Sequence, residues 1–303
     1  SKHPLIKAAD AQVQQMHALR KTAFNPPPME LLMESPTGTS MRPGVLQNFD
    51  FPLVYSKQSQ LYHQQENLAQ KEKNISVAAL KKQVRVTYAD WQYAALCLKT
   101  LLQQDSLFDA LLKSARITQK VGATSGIDLL NVSTEAAQVK HELQLAQQRY
   151  RQAMQALKNT CFLQTDYPHD VVQQVKITTQ EILIADATSI PYHGLAEQQV
   201  RVSEKQLQLE KWRMAPGFTL GYLNQAGNST PMDMRLRYGI RVPLFFWSNL
   251  AAIKSARLNV ERSQYTFQNT ALELQTELSA AQSNWQQATS ALQYYEQNAL
   301  PQS

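Results

Sequence analysis

The chain has 303 residues, 43% of them hydrophobic and 18% charged, with a formal net charge of +6 and two cysteines. That length suits two domains, and no run of apolar residues is long enough for a membrane-spanning helix. The positive charge forms no dense Lys/Arg block interleaved with aromatics, which argues against nucleic acid as a partner, and Cys97 and Cys161 form no CxxC and leave the redox compartment open.

The first residues, Ser1 to Ile6, lack the basic-then-apolar pattern of a signal peptide, which leaves a processed or a cytosolic chain. Helical spacing then runs from Leu5 to Phe24 and is closed by Pro26, Pro27 and Pro28. Two alternating segments follow. Met29, Leu31 and Met33 alternate with Glu30 and Glu34; after a turn around 36–40, Val45, Gln47, Phe49 and Phe51 alternate with Leu46, Asn48 and Asp50. Both read as strands of one hairpin, ended by Pro52.

A long Gln-rich helix is expected from about Lys57 to Lys120. Its seam is Val77, Leu80, Val84, Thr87, Trp91, Ala94, Leu98, Leu101, Asp105, Phe108, Leu112 and Ala115. Gly122 and Gly126 bracket a tight reversal and are read as supplying positive φ. Ser125 followed by Asp128 reads as the N-terminal box of the outgoing helix. That helix carries Leu129, Val132, Ala136, Val139, Leu143, Ala146, Tyr150, Ala153 and Leu157. The 3-4 alternation averages about 3.5 residues, the period of a coiled-coil seam. Some sixty helical residues at ~1.5 Å each reach roughly 100 Å. The chain is read as organised around a long antiparallel helical hairpin.

Residues 160–191 have mixed character, and 171–184 is left open between a small strand and an irregular wrap. Helical spacing returns from Leu195 to Met214 and stops at Pro216. A second strand hairpin pairs Phe218–Gln225 with Met232–Val242 across a turn at 227–231. In the latter strand Met232, Met234, Leu236, Tyr238, Ile240 and Val242 fall on one face, with Asp233, Arg235, Arg237, Gly239 and Arg241 on the other. About eleven alternating residues suffice to cross a bilayer at a tilt. A last long helix is expected over Ala251–Tyr295, with a weaker stripe through Ile253, Ala256, Val260, Ser263, Phe267, Thr270 and Leu274.

The pieces repeat with an offset of about 190 residues. His3-Pro4-Leu5 matches His193-Gly194-Leu195, Pro26 matches Pro216, and Phe51-Pro52-Leu53 matches Val242-Pro243-Leu244. The expected organisation is a single domain of two intertwined repeats: 1–165 complete with its tip, 166–190 a connector, and 191–303 a second repeat lacking tip and return helix. The fold class is mainly α with a small β part.

This order of elements, twice over, resembles the TolC family of outer-membrane efflux proteins. The resemblance rests on the His-Pro-Leu opening, the Pro-bounded hairpins, Phe51-Pro52-Leu53 and Val242-Pro243-Leu244 before the long helices, and the Val121-Gly122 to Ile127-Asp128-Leu129-Leu130 tip. Residues 101–108 and 216–222 look most like the CusC/CzcC-like heavy-metal branch, some of whose relatives in Bacteroidetes-type bacteria are fused behind a CusA/CzcA-like pump. The resemblance implies a passive trimeric conduit exporting heavy-metal cations, with four strands per subunit in a twelve-stranded outer-membrane barrel and a helical tunnel in the periplasm. It also implies docking of a periplasmic adaptor and an RND inner-membrane pump at Val121, Gly122, Gly126 and Asp128. Arg235, Arg237 and Arg241 are expected to face the barrel lumen, with lipid against the opposite face. No cysteine opens the chain, so the lipid anchor of some relatives is not expected, and the missing second tip reads as a fragment of a longer chain.

Each of these residues has a plainer reading. Asp128 as a helix-capping carboxylate is preferred to a gating ring, and Asp105 reads either as a register device or as a solvent-facing kink. Met29, Met33 and Met41 invite soft-metal ligation, but packing or lipid contact is preferred. The six histidines show neither HxxxH nor HExxH spacing, and the arginines are balanced between lumen selectivity and pairing with Asp50 or Glu30. No catalytic constellation, cofactor loop or metal site is expected. The rival readings are a periplasmic coiled-coil adaptor that never inserts and, more remotely, a metal-binding enzyme.

Overall fold

The computed structural model describes residues 3–34, 41–122, 125–162, 190–223, 235–242 and 246–299. Its elements are α1 (Pro4–Lys21), β1 (Glu30–Glu34), β2 (Arg42–Phe49), α2 (Pro52–Lys120), α3 (Gly126–Cys161), α4 (Pro191–Trp212), β3 (Gly217–Leu223), β4 (Leu236–Arg241) and α5 (Phe246–Tyr294), with a π-helical turn at Tyr295–Ala299. The expected strand over 232–242 is therefore found at Leu236–Arg241, and residues 232–234 lie outside the described residues, as do both hairpin turns and the open segment 171–184.

One compact unit contains Ser1–Ile6 and Ser76–Gln180. Here the C-terminal part of α2 pairs with α3 along the expected seam. Thr87, Trp91 and Ala95 are buried on α2, and Ala136, Val139, Leu143 and Ala146 on α3. The α2 seam thus includes Ala95 beside the expected Ala94, which is half-buried: after Trp91 the buried stripe steps by four residues where the expected spacing stepped by three. Trp91 reaches across to Tyr150 with ring centroids 6.5 Å apart. Small alanines on α3 let this indole lie between the helices.

The other unit contains Lys7–Ile75 and Glu181–Ser303. Within it α1 and α4 each run antiparallel to the N-terminal part of α2, and α4 runs antiparallel to α5. The joints are polar. Lys73 Nζ meets Asp10 at 2.7 Å, Gln12 Nε2 donates to Glu72 at 2.7 Å, and Glu66 takes both His17 (2.9 Å) and Arg20 (3.3 Å). On α4, Lys71 donates to the Gly194 carbonyl at 2.8 Å, and Gln198, only 2% exposed, bonds the Gln64 backbone (3.0 Å) and side chain (2.8 Å). Ser203 and Ser263 share a 2.7 Å bond between α4 and α5. A buried amide left unpaired is costly, so these contacts fix one axial register where an apolar seam alone would tolerate sliding.

Where helices meet the sheet, Val54, Leu61 and Leu209 form the core, with Phe51 and Val202 against them. Phe51 stacks on Trp212 at 5.9 Å and lies 6.2 Å from Phe218. Within the Phe51-Pro52-Leu53 signature, Phe51 is thus the packing residue, while Pro52 and Leu53 are exposed.

The four strands form one antiparallel sheet in the order β1-β2-β3-β4. Its middle pairing, Gly44–Phe49 with Phe218–Leu223, joins the two repeats. Register puts Leu31, Val45, Tyr222 and Leu236 in one row and Phe49, Phe218 and Ile240 in another. This face is most exposed on the outer strands, with Leu31 at 81%, Tyr238 at 84% and Ile240 at 69%, while Val45, Phe49 and Tyr222 on the middle strands are half-buried. Gly44, Gly217, Gly221 and Gly239 all fall on the opposite, more enclosed face. A Cβ on Gly221 would lie 2.8 Å from both Leu46 Cδ1 and the Val45 carbonyl, and one on Gly44 would collide with Leu223. The missing side chains make room for Leu46 and Leu223 to lie flat across neighbouring strands.

Candidate functional site

The tip of the α2–α3 hairpin is built by local backbone chemistry. At the end of α2 the Val121 N–H donates to the Ile117 carbonyl (3.3 Å) and the Gly122 N–H to that of Gln119 (3.0 Å). Gly122 then takes φ = +77°, the left-handed value a glycine reaches at little cost. Gly126 departs from expectation: it is the first residue of α3 and is absent from the positive-φ residues among those described. A Cβ there would meet only Gln119 Nε2, at 3.8 Å. The reversal takes its left-handed step before the N-cap, so the glycine after the cap has no such duty.

Ser125 is that N-cap. Its Oγ accepts from the Ile127 N–H at 3.0 Å, while the Asp128 carboxylate accepts from the Ser125 N–H at 3.3 Å. The capping role expected of Asp128 is therefore present, and its charge sits at the positive end of α3. Around this scaffold Ile117, Val121, Ile127 and Leu130 are 58–74% exposed.

On the sheet, Arg237 and Arg241 lie in β4 on the glycine-bearing face, and Arg235 immediately precedes the strand. Arg241 Nη2 bonds Asp50 at 2.8 Å, the pairing weighed from sequence, while Arg235 Nη1 reaches the Tyr222 phenol oxygen at 3.5 Å. Arg237 stands opposite Gly221, in the row that continues through Leu46 to Glu30. Met33 pairs in register with Pro43, which puts it on the exposed apolar face, and Met29 and Met41 are also exposed. Among the described residues no group of three His, Cys, Asp or Glu could hold a metal ion.

Two features carried no sequence signal. One is an open groove of about 700 Å³ between α2 and α3, lined by Tyr93, Cys97 and Leu101 on one side and by Arg149, Ala153 and Ala156 on the other. The Tyr93 phenol is held above its ordinary pKa, chiefly by its hydrogen bond with Cys97. The other is Glu66, whose carboxyl is held below its ordinary value by the hydrogen bond with His17, with Arg20 assisting. The Glu66 joint could not have been found from spacing, since it joins side chains from different elements, and the groove depends on small residues leaving space.

No family model matches the sequence, and no curated protein matches it either. Solved structures do match in fold. The outer membrane protein VceC of Vibrio cholerae superposes with a TM-score of 0.75 at 13% identity, over 97% of this chain and 78% of that one. CusC, solved in a study of folding and transmembrane channel formation, gives 0.66 at 16% identity over 98% and 78%. The open state of the Neisseria gonorrhoeae MtrE outer membrane channel gives 0.72 at 13% identity over 95% and 72%. The fold is that of a TolC-like outer-membrane channel.

Proposed function

We propose that this chain is a subunit of the outer-membrane conduit of a tripartite efflux system, localised to the Gram-negative outer membrane with a periplasmic extension. The observation that carries the reading is the sheet. An apolar face with side chains up to 84% exposed is unfavourable in water and favourable against lipid. Its outer strands β1 and β4 have no further partner among the described strands, and a sheet in lipid must close on itself because unpaired edge groups cannot be solvated there. Three copies closing edge to edge would supply twelve strands. The groove between α2 and α3 supports the same assembly, since Ala146, Ala153 and Ala156 leave holes of the kind that side chains of another helix fill.

In this reading Arg235, Arg237 and Arg241 border the wet lumen, and Val121, Gly122, Gly126 and Asp128 form the tip that meets a periplasmic adaptor and an RND pump. The conduit is passive: solute diffuses through water while the pump supplies the energy. Heavy-metal cations are the cargo suggested by residues 101–108 and 216–222.

Light scattering of the purified chain with and without detergent micelles tests the assembly. A detergent-bound trimer that conducts in planar bilayers is the expected result. A detergent-indifferent monomer without conductance would turn the reading toward a periplasmic adaptor-like protein.

A further inference from the structure

We infer that the sheet-side ends of α4 and α5 bind the phosphate headgroup of an anionic phospholipid; this rests on the conduit reading, which sets the apolar sheet face in lipid, and names the lipid chemistry at its helical border. A path of rings leads from that face to the helices. Phe218 belongs to the apolar row with Phe49 and Ile240, Phe51 lies 6.2 Å from it, and Trp212 at the end of α4 stacks on Phe51 at 5.9 Å. On α5, Trp247, Leu250, Lys254 and Arg257 follow one another at i, i+3, i+7 and i+10 and so share one exposed side, turned away from the buried Ala256. Aromatic rings nearest the apolar face, with cations two to three turns further along, suit a membrane border: the rings sit at headgroup level and the long cationic stems reach phosphate.

The cations converge from both helices. The 2.7 Å bond between Ser203 and Ser263 fixes the level of antiparallel α4 and α5. Counted from it, Lys211 lies about 12 Å toward the sheet along α4, and Lys254 and Arg257 lie about 14 and 9 Å toward it along α5. All three side chains are exposed, and no ion pair engages them among the described residues. Of the acids nearby, Asp50 is held by Arg241 at 2.8 Å and Glu210 by Arg213 at 2.9 Å. Glu261 and Glu204 keep their charge but stand further from the sheet, one turn beyond Arg257 and two turns beyond Lys211. The chain's positive balance is concentrated at this level: in the twelve residues of α1, α2, α4 and α5 nearest the sheet, eight Lys/Arg stand against three Asp/Glu, whereas the whole chain has 30 against 24. An anionic headgroup answers both the charge and the rings, while a zwitterionic one cancels most of the electrostatic attraction.

The test uses the full chain in neutral detergent micelles, supplied with phosphatidylglycerol or with phosphatidylcholine of the same acyl chains, and native mass spectrometry reads the lipid retained per chain. The parent chain should retain phosphatidylglycerol over phosphatidylcholine by about tenfold or more. The triple variant Lys211→Gln, Lys254→Gln, Arg257→Gln should lose that preference. A second triple variant, Lys81→Gln, Lys82→Gln, Arg85→Gln, removes the same charge from an exposed stretch roughly 40 Å along α2 and should keep it. Circular dichroism confirms that both variants keep their helices. Equal retention of the two lipids by the parent, a preference that survives in the first variant, or one lost equally in the second overturns the inference. So does complete displacement of phosphatidylglycerol by inorganic phosphate at equal concentration, which would make the patch a site for free phosphate. Planar-bilayer conductance of the same parent preparation separates the two readings: a conducting chain without lipid preference loses only the headgroup assignment, whereas a non-conducting chain loses the conduit and the assignment with it.

Discussion

At the scale of single residues, the tip separates two glycines that look alike in sequence. Gly122 holds φ = +77° with open space around its missing side chain, so a substitution there meets backbone strain and no clash. Strain of this kind costs on the order of 1–3 kcal/mol for a bulky residue. Gly126 occupies a helical position, where alanine is favoured over glycine by roughly 1 kcal/mol at most. Thermal unfolding of Gly122→Val and Gly126→Ala should therefore move in opposite directions, the first downward and the second upward or not at all. Equal loss in both would mean that the turn is not built as described. The sequence pattern could not separate them because it shows where a reversal falls and not which residue makes the left-handed step; the cap at Ser125, one residue before Gly126, is what decides.

At the scale of elements, the helices divide into those held by apolar seams and those held by polar joints. The α2–α3 seam was readable because a repeated 3-4 spacing has few other causes: the buried Ala136, Val139, Leu143 and Ala146 all fall on it. The strand pairs were readable for the same reason at period two. Helix α1 is different. Its contacts with α2 run through Asp10, Gln12, His17 and Arg20, and polar residues on a Gln-rich background carry no periodic signal. These contacts make the α1–α2 joint sensitive to acid. Glu66 has a lowered pKa in the folded chain, so its contribution is fully present above the ordinary glutamate pKa of about 4.3 and is lost as pH falls through the lower folded value. Amide exchange in α1 should accelerate in that acidic window ahead of exchange in α3. In Glu66→Gln the acceleration should be absent and α1 exchange uniformly faster. An unchanged α1 profile in that variant would assign the joint to the remaining contacts.

At the scale of the molecule, the central pairing of the sheet has a consequence in time. Strands β2 and β3 come from different repeats, and the Thr219–Asn48 bond between them spans 171 residues of sequence. During synthesis at about 5–20 residues per second, β2 emerges on the order of ten seconds or more before its partner exists. The intervening α2–α3 hairpin is local in sequence and forms early by comparison. A β1–β2 pair formed before β3 is in place carries an unmatched inner edge, a template for pairing with another chain. In refolding, amides of β2 and β3 should gain protection together, in one late phase, after those of α2 and α3. Protection of β2 with the early helices would contradict that order. Until β3 is in place the inner edge of β2 is open to another copy of the chain, so the order of assembly also sets how much sheet is correctly formed.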